Sequence, residues 1–175
     1  SCKFVQEAYA NRKFACVRDY VRLYALYHEG GIYMDTDIEV LKPFDETILK
    51  NNIVFSLDGE GYLSALMMSV PRQSFFAEML DFYHNMSFLK DDGSFNMEVN
   101  NTFLQKKLTT LGYKQENVLQ KISDGIIFYP DDYFHCRSLV SGKLNKTSNT
   151  YTIHWHTITW VPMKTRIINF LRIYV

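Results

Sequence analysis

The sequence predicts an α/β layered domain. Three observations predict it. Apolar residues make up 47% of a 175-residue chain, enough for one sizeable core. Segments with helical periodicity alternate with short β-branched and aromatic runs bounded by glycine or proline. Twelve tyrosines and thirteen phenylalanines supply bulk for packing between layers.

The elements follow in chain order. Residues 14–29 read as a well-buried helix. Phe14, Val17, Val21, Tyr24 and Ala25 recur at helical spacing, and Tyr20, Leu23 and Tyr27 widen the apolar surface. Gly30-Gly31 caps it, and residues 32–34 form a short strand opening to Asp35 and Asp37. Residues 38–50 contain Pro43 and a loop or short helix over 44–49. Residues 53–57 and 65–70 are apolar strand candidates, the first ending in the turn Asp58-Gly59-Glu60-Gly61, the second stopped by Pro71. Residues 74–83 are amphipathic and helical, and 90–94 are a polar loop. A helix is expected over 97–111 with Gly112 as its cap, then a strand over 126–129 before the turn Pro130-Asp131-Asp132. Residues 138–149 are a surface loop or hairpin, 151–155 a strand, and 162–173 a basic amphipathic helix. The whole of 1–175 reads as a single domain, with no internal repeat.

Charge and cysteine usage exclude some classes. Lys plus Arg equals Asp plus Glu, 19 each, so nothing marks the domain as nucleic-acid binding. Cys2, Cys16 and Cys136 are odd in number and widely spaced, unlike a disulfide framework or a zinc site. Buried free thiols in a reducing compartment are the expectation. Sequons begin at Asn85, Asn100 and Asn145, which carry weight only in a secreted or Golgi protein. No signal peptide or membrane-length apolar run is present. A cytoplasmic location is therefore expected, with the inner face of the cell membrane as an open alternative within it. The run Lys164 to Ile173 fits either a membrane surface or core packing with a solvated basic face.

The chemistry centres on Asp35-Thr36-Asp37. In an extended chain residues i and i+2 share a face, so both carboxylates aim at one site. Hard oxygen ligands at the end of a buried strand suit Mg²⁺ or Mn²⁺. The carboxyl edge of an open α/β sheet is also where ligands bind. An Asp-x-Asp pair alone is weak evidence, since paired acids also close Asx turns. Asp19 and Arg22 sit three apart on one face of the preceding helix. They read as an intrahelical salt bridge or as an acceptor and donor facing a polyhydroxylated ligand.

Together these residues form a recognisable unit: an Asp-x-x-Arg helix from Phe14, the Gly30-Gly31 turn, a strand, then Asp35-Thr36-Asp37 and Ile38-Glu39-Val40-Leu41-Lys42-Pro43. The stretch resembles the DXD-containing sugar-transferase family (glycosyltransferase family 32-like), which includes bacterial capsular and lipopolysaccharide glycosyltransferases. Weaker similarity reaches Phe75-Phe76, Tyr129-Pro130 and the segment His154 to Trp160. The resemblance implies a GT-A (Rossmann-like) fold, a nucleotide-diphosphate sugar donor (UDP- or GDP-linked), a saccharide or lipid-linked acceptor, and Mn²⁺ or Mg²⁺. It implies retention of stereochemistry and, with lipid-linked acceptors, peripheral membrane contact.

By the same resemblance, Asp37 is the more direct metal ligand and Asp35 serves the ribose or a metal-bound water. Asp19 and Arg22 hold the donor sugar, with Tyr33 beside them. His154 and Trp160 close over the metal and diphosphate. Thr159 stands where Ser is usual, Trp155 where a second His is, and Arg18 where a small residue precedes Asp19. Ser64-Ala65 lies where a polar Asn would reach the acceptor. The family's first strand, which helps hold the nucleotide, is not found, so a chain trimmed at both ends is an expectation. Two other readings stay open: a non-catalytic sugar-nucleotide binder, and a phosphohydrolase with Asp35 as nucleophile.

Overall fold

A computed structural model describes residues 2–58, 61, 64–96 and 100–157. Trp160, Thr159, the basic run 162–173 and the first residues of the helix expected at 97 lie outside these. The elements are α1 (Lys3–Ala10), α2 (Phe14–His28), β1 (Gly31–Met34), β2 (Ile38–Val40), α3 (Glu46–Leu49), β3 (Ile53–Ser56), β4 (Leu66–Ser69), α4 (Ser74–His84), α5 (Asn100–Thr110), β5 (Gln120–Lys121), β6 (Ile126–Tyr129), α6 (Asp131–Phe134) and β7 (Thr152–His154). The mixed α/β class predicted from sequence is what forms.

Five strands make one sheet in the order β1-β4-β3-β6-β5. Among the described residues only β3 and β6 pair in parallel; β1–β4, β3–β4 and β5–β6 are antiparallel. It follows that β1, β3 and β6 run the same way, and their carboxyl ends share one edge. That edge carries Asp35, Asp58 and the Pro130-Asp131 corner.

Alternation along each central strand builds two cores. Ile53, Phe55, Met67, Ile126 and Phe128 face one side, against Leu23 and Leu26 of α2 and Phe75, Phe76 and Met79 of α4. Val54, Leu66, Met68, Ile127 and Tyr129 face the other, against Ile48, Phe134 and Tyr151. Strands covered on both faces read as unbroken apolar runs, which is why β3, β4 and β6 are plain in the sequence.

The buried face of α2 differs from the one predicted. Phe14, Val21 and Tyr24 are 57%, 50% and 47% exposed, while Cys16, Asp19, Arg22, Leu23 and Leu26 are buried. The helix is apolar on two sides, so periodicity could not fix its phase. The side carrying a mutually compensating acid and base is the one that packs.

The Gly30-Gly31 turn forms as expected, with positive φ at both residues (70° and 89°). A Cβ on Gly30 would stand 2.8 Å from the Ser69 carbonyl oxygen and 2.9 Å from Pro71, whereas one on Gly31 would meet open space. The turn therefore lets helix α2 pass directly into β1 against β4. Residues 38–40, to which the sequence assigned no element, form β2. This strand pairs antiparallel with β7 in a separate ribbon, register Ile38↔His154 and Val40↔Thr152. Residues 131–132, expected as a turn, begin the single helical turn α6.

Candidate functional site: an acidic strand end with a buried histidine

The site begins with α2. Its buried face holds Arg22, whose side chain is 1% exposed. A guanidinium there must find acceptors. One terminal nitrogen donates to the Ser64 carbonyl at 2.6 Å. The other lies 2.9 Å from Asp19 Oδ1 and 3.8 Å from Asp35 Oδ1. The guanidinium also lies over the Tyr33 ring, 4.7 Å from its centroid. Its Nε meets no acceptor among the described residues. Burial raises the Asp19 carboxyl pKa, opposed by Arg22 and Arg18.

The two acids meet around a tight turn and not along an extended strand as expected, because β1 ends at Met34 and Thr36-Asp37 bend back. Tyr33 donates its hydroxyl to Asp35 Oδ1 at 2.6 Å. Burial, with Asp35 as acceptor, raises the Tyr33 pKa, so this phenol stays a donor. Arg18, more exposed, approaches the same oxygen at 3.9 Å. Asp35 N–H donates to the Ala65 carbonyl, which ends the β1–β4 ladder. A tight turn follows, closed by Ile38 N–H to the Asp35 carbonyl.

Asp37 is held by the far end of the described chain. Its Oδ2 accepts from the Thr157 backbone N–H at 2.8 Å and the Thr157 hydroxyl at 3.0 Å. Its Oδ1 lies 3.4 Å from His154 Nε2. Burial works to raise the Asp37 pKa, but the Thr157 bonds and nearby His154 outweigh it and leave the carboxyl below its usual range. Asp35, Asp37 and His154 each offer a ligand atom within 4.8 Å of the others. Two carboxylates and one imidazole suit Mn²⁺ or Mg²⁺, so these residues fit the cation that the sequence implies.

Behind His154 stands a second, fully buried histidine. His135 Nδ1 lies 3.2 Å from His154 Nδ1, and its Nε2 lies 2.5 Å from Ser56 Oγ. Burial pushes the His135 pKa well below 6.5 and lowers that of His154, against the pull of Asp37 and Asp35. His156 packs its ring on that of His154, 3.9 Å between centroids, while its Nε2 faces the Arg137 carbonyl oxygen at 3.0 Å, and burial lowers its pKa to about 4. Trp155, in the place of a second histidine, donates its indole N–H to Glu39 and stays partly exposed. On the same sheet edge a cavity of about 460 Å³ opens, lined by Asp58, His135, Arg137, Ser138 and Lys143 among others.

The structure thus brings together Asp19, Arg22, Tyr33, Asp35, Asp37 and His154. Trp160 lies outside the described residues. Sequence reasoning missed Thr157, His135 and Ser56. Thr157 lies in a segment already singled out, so a hydroxyl three residues after His154 was a usable signal. Ser56 and His135 carry none, being a serine in an apolar strand and a lone histidine after a turn.

Residues 2–54 match the family described as the glycosyltransferase sugar-binding region containing DXD motif. Over 82 residues the chain is 34% identical to glucan organizing enzyme 1 of Cryptococcus neoformans var. grubii, covering 41% of this chain and 22% of that protein. Over 70 residues it is 34% identical to inositol phosphoceramide mannosyltransferase 1 of Schizosaccharomyces pombe, covering 39% and 21%. The chain therefore spans about a fifth of the length of these relatives. No solved structure matches it significantly. No helix among the described residues is long and apolar enough to cross a membrane. The Asp-x-x-Arg helix, the Gly-Gly turn and the paired acids all fall within the residues that match this sugar-binding region.

Proposed function

We propose that this chain is the donor-binding part of a metal-dependent glycosyltransferase. It would move a hexose from a nucleoside-diphosphate sugar to a saccharide or lipid-linked acceptor, on a GT-A-type fold formed by residues 1–175 as one domain. The observation that carries this reading is the cluster Asp35, Asp37 and His154 at the carboxyl edge of the sheet. Asp37 and His154 would hold Mn²⁺ or Mg²⁺ directly, with Asp35 beside them. Bound there, the ion would neutralise charge that develops on the departing diphosphate.

The chain's own residues supply orientation and field. Asp19 reaches the site's edge and can accept sugar hydroxyl groups, while Arg22 holds Asp19 and Asp35 from beneath. Donor binding through Arg22 would thus run chiefly through the acid it positions. Arg18, 44% exposed in its side chain, is free to turn from Asp35 toward a phosphate oxygen. Holding sugar and acceptor in one geometry converts encounter into an intramolecular event. The cavity beside His135 has the size and polar lining for an acceptor sugar. The family resemblance supports retention of anomeric configuration and adds Trp160 to the donor contacts. The three buried, free thiols fit a reducing, cytoplasmic setting.

The test is Asp37→Ala against a panel of UDP- and GDP-sugars with Mn²⁺, scoring donor hydrolysis and transfer. Loss of both is expected. Turnover equal to wild type would sink the assignment.

A further inference from the structure

A buried hydrogen-bond chain runs from the sheet to the candidate metal ligand. Ser56 Oγ lies 3.0 Å from the Leu66 carbonyl oxygen, which can only accept. The geometry has the single hydroxyl proton of Ser56 donated to this carbonyl. Ser56 Oγ must then accept from its second partner, His135 Nε2, at 2.5 Å. His135 is 2% exposed, and among the described residues its two ring nitrogens face a hydroxyl and another imidazole. An imidazole removed from water among neutral partners carries one proton. With that proton on Nε2, His135 Nδ1 is an acceptor, and the group 3.2 Å away, His154 Nδ1, must donate.

We infer that Ser56 and His135 are positioning residues that fix His154 as its Nδ1–H tautomer, leaving the Nε2 lone pair aimed between Asp35 and Asp37. With the Ser56 hydroxyl donated to Leu66, the direction of each later bond follows from the one before it. The outcome is the tautomer a metal ligand needs. Nε2 and Asp37 Oδ1, both lone-pair bearers, face each other across 3.4 Å, a pairing that a shared cation satisfies. The chain also fixes the plane of the His154 ring, because both Ser56 and Leu66 belong to central strands of the sheet. Its use in binding rests on the cation reading proposed above; the tautomer does not.

The experiment has two arms. Long-range ¹H–¹⁵N correlation spectra of ¹⁵N-histidine-labelled protein, at pH 7.5 in EDTA, read which ring nitrogen carries the proton. His154 is expected as Nδ1–H and His135 as Nε2–H, and Ser56→Ala is expected to turn His154 into a tautomer mixture. His154 found as Nε2–H in the wild type overturns the inference. The second arm titrates Mn²⁺ calorimetrically. His135→Leu is expected to bind Mn²⁺ roughly 10–100-fold more weakly. His135→Asn, whose Oδ1 takes the place of Nδ1 as acceptor, is expected to recover most of that loss. Equal affinity for His135→Leu and wild type, with His135→Leu folded by circular dichroism, also overturns it. If His135→Leu does not fold, Ser56→Ala, which removes one hydroxyl, decides through the spectra. Wild type that shows the assigned tautomers yet binds no Mn²⁺ sinks the cation reading and supports the hydrogen-bond chain.

Discussion

Truncating Arg22 to Met tests whether the acid and base inside α2 act as one unit. The guanidinium is 1% exposed and serves Asp19 at 2.9 Å and the Ser64 carbonyl at 2.6 Å. Arg22→Met leaves the Asp19 carboxylate buried without its nearest cation. Asp19→Leu leaves the guanidinium facing one carbonyl and Asp35 at 3.8 Å. Breaking a buried pair from one side costs about 3–5 kcal/mol. For a chain of this length each kcal/mol lowers Tm by about 2–4 °C, so either single variant should lose roughly 6–20 °C. Replacing both partners by apolar groups of similar size removes the uncompensated charge, and the double variant should be less destabilised than either single one. Urea denaturation of the four proteins at pH 7 in EDTA gives the cycle. A coupling of at least about 2 kcal/mol is expected. Additivity within about 0.5 kcal/mol would refute the reasoning, because contacting partners of one network do not behave so.

Three further outcomes follow from the geometry. Gly30→Ala should destabilise by more than about 2 kcal/mol, since it adds a clash with Ser69 and Pro71 to the strain of positive φ, while Gly31→Ala should cost only the strain, about 1–2 kcal/mol; equal losses in denaturant melts would contradict the packing. Burial depresses the folded-state pKa values of His135, His154 and His156, the last to about 4. The unfolded chain therefore takes up protons first, so stability should be full above about pH 6.5 and decline from there toward pH 4, with raised Asp19 opposing at the acid end. A stability that stays flat over that window in EDTA would rule this out, and His156→Gln should soften the slope. Thr157→Ala removes the hydroxyl bond to Asp37 but keeps the amide bond, so Mn²⁺ affinity should fall by about fivefold, the worth of one hydrogen bond near 1 kcal/mol; unchanged calorimetric affinity would leave the hydroxyl without a role.

What the sequence made legible was whatever is encoded locally. The α2 helix and its double-glycine exit are determined within a few residues of one another and formed as read, whereas Asp35 and Asp37 come together around a turn and not on one extended face. The strands β3, β4 and β6 were legible because burial on both faces demands continuous apolar runs. The phase of α2 was not, because its apolar residues occupy two sides and only the surrounding helices and sheet select one. β2 was missed because three residues of Ile-Glu-Val carry too little pattern, and their partner lies at the other end of the described chain. The same holds for the site: Asp19 and Arg22 announce themselves by spacing, whereas Ser56 and His135 gain meaning only when strand and loop are brought to hydrogen-bonding distance.

The ribbon of β2 with β7 sets when the site can exist. Asp37 and His154 are 154 − 37 = 117 positions apart, joined by three residue pairs. Contacts so distant in sequence form only after a long loop has closed, so they come late in folding. During synthesis at about 5–20 residues per second, Asp35 and Asp37 would emerge roughly 6–25 s before His154 does. Through that interval the nascent chain presents two adjacent carboxylates with no imidazole and no Thr157 to hold them. The complete ligand set is thus a mark of finished folding, and a cation that requires all three ligands would distinguish mature chains from unfinished ones.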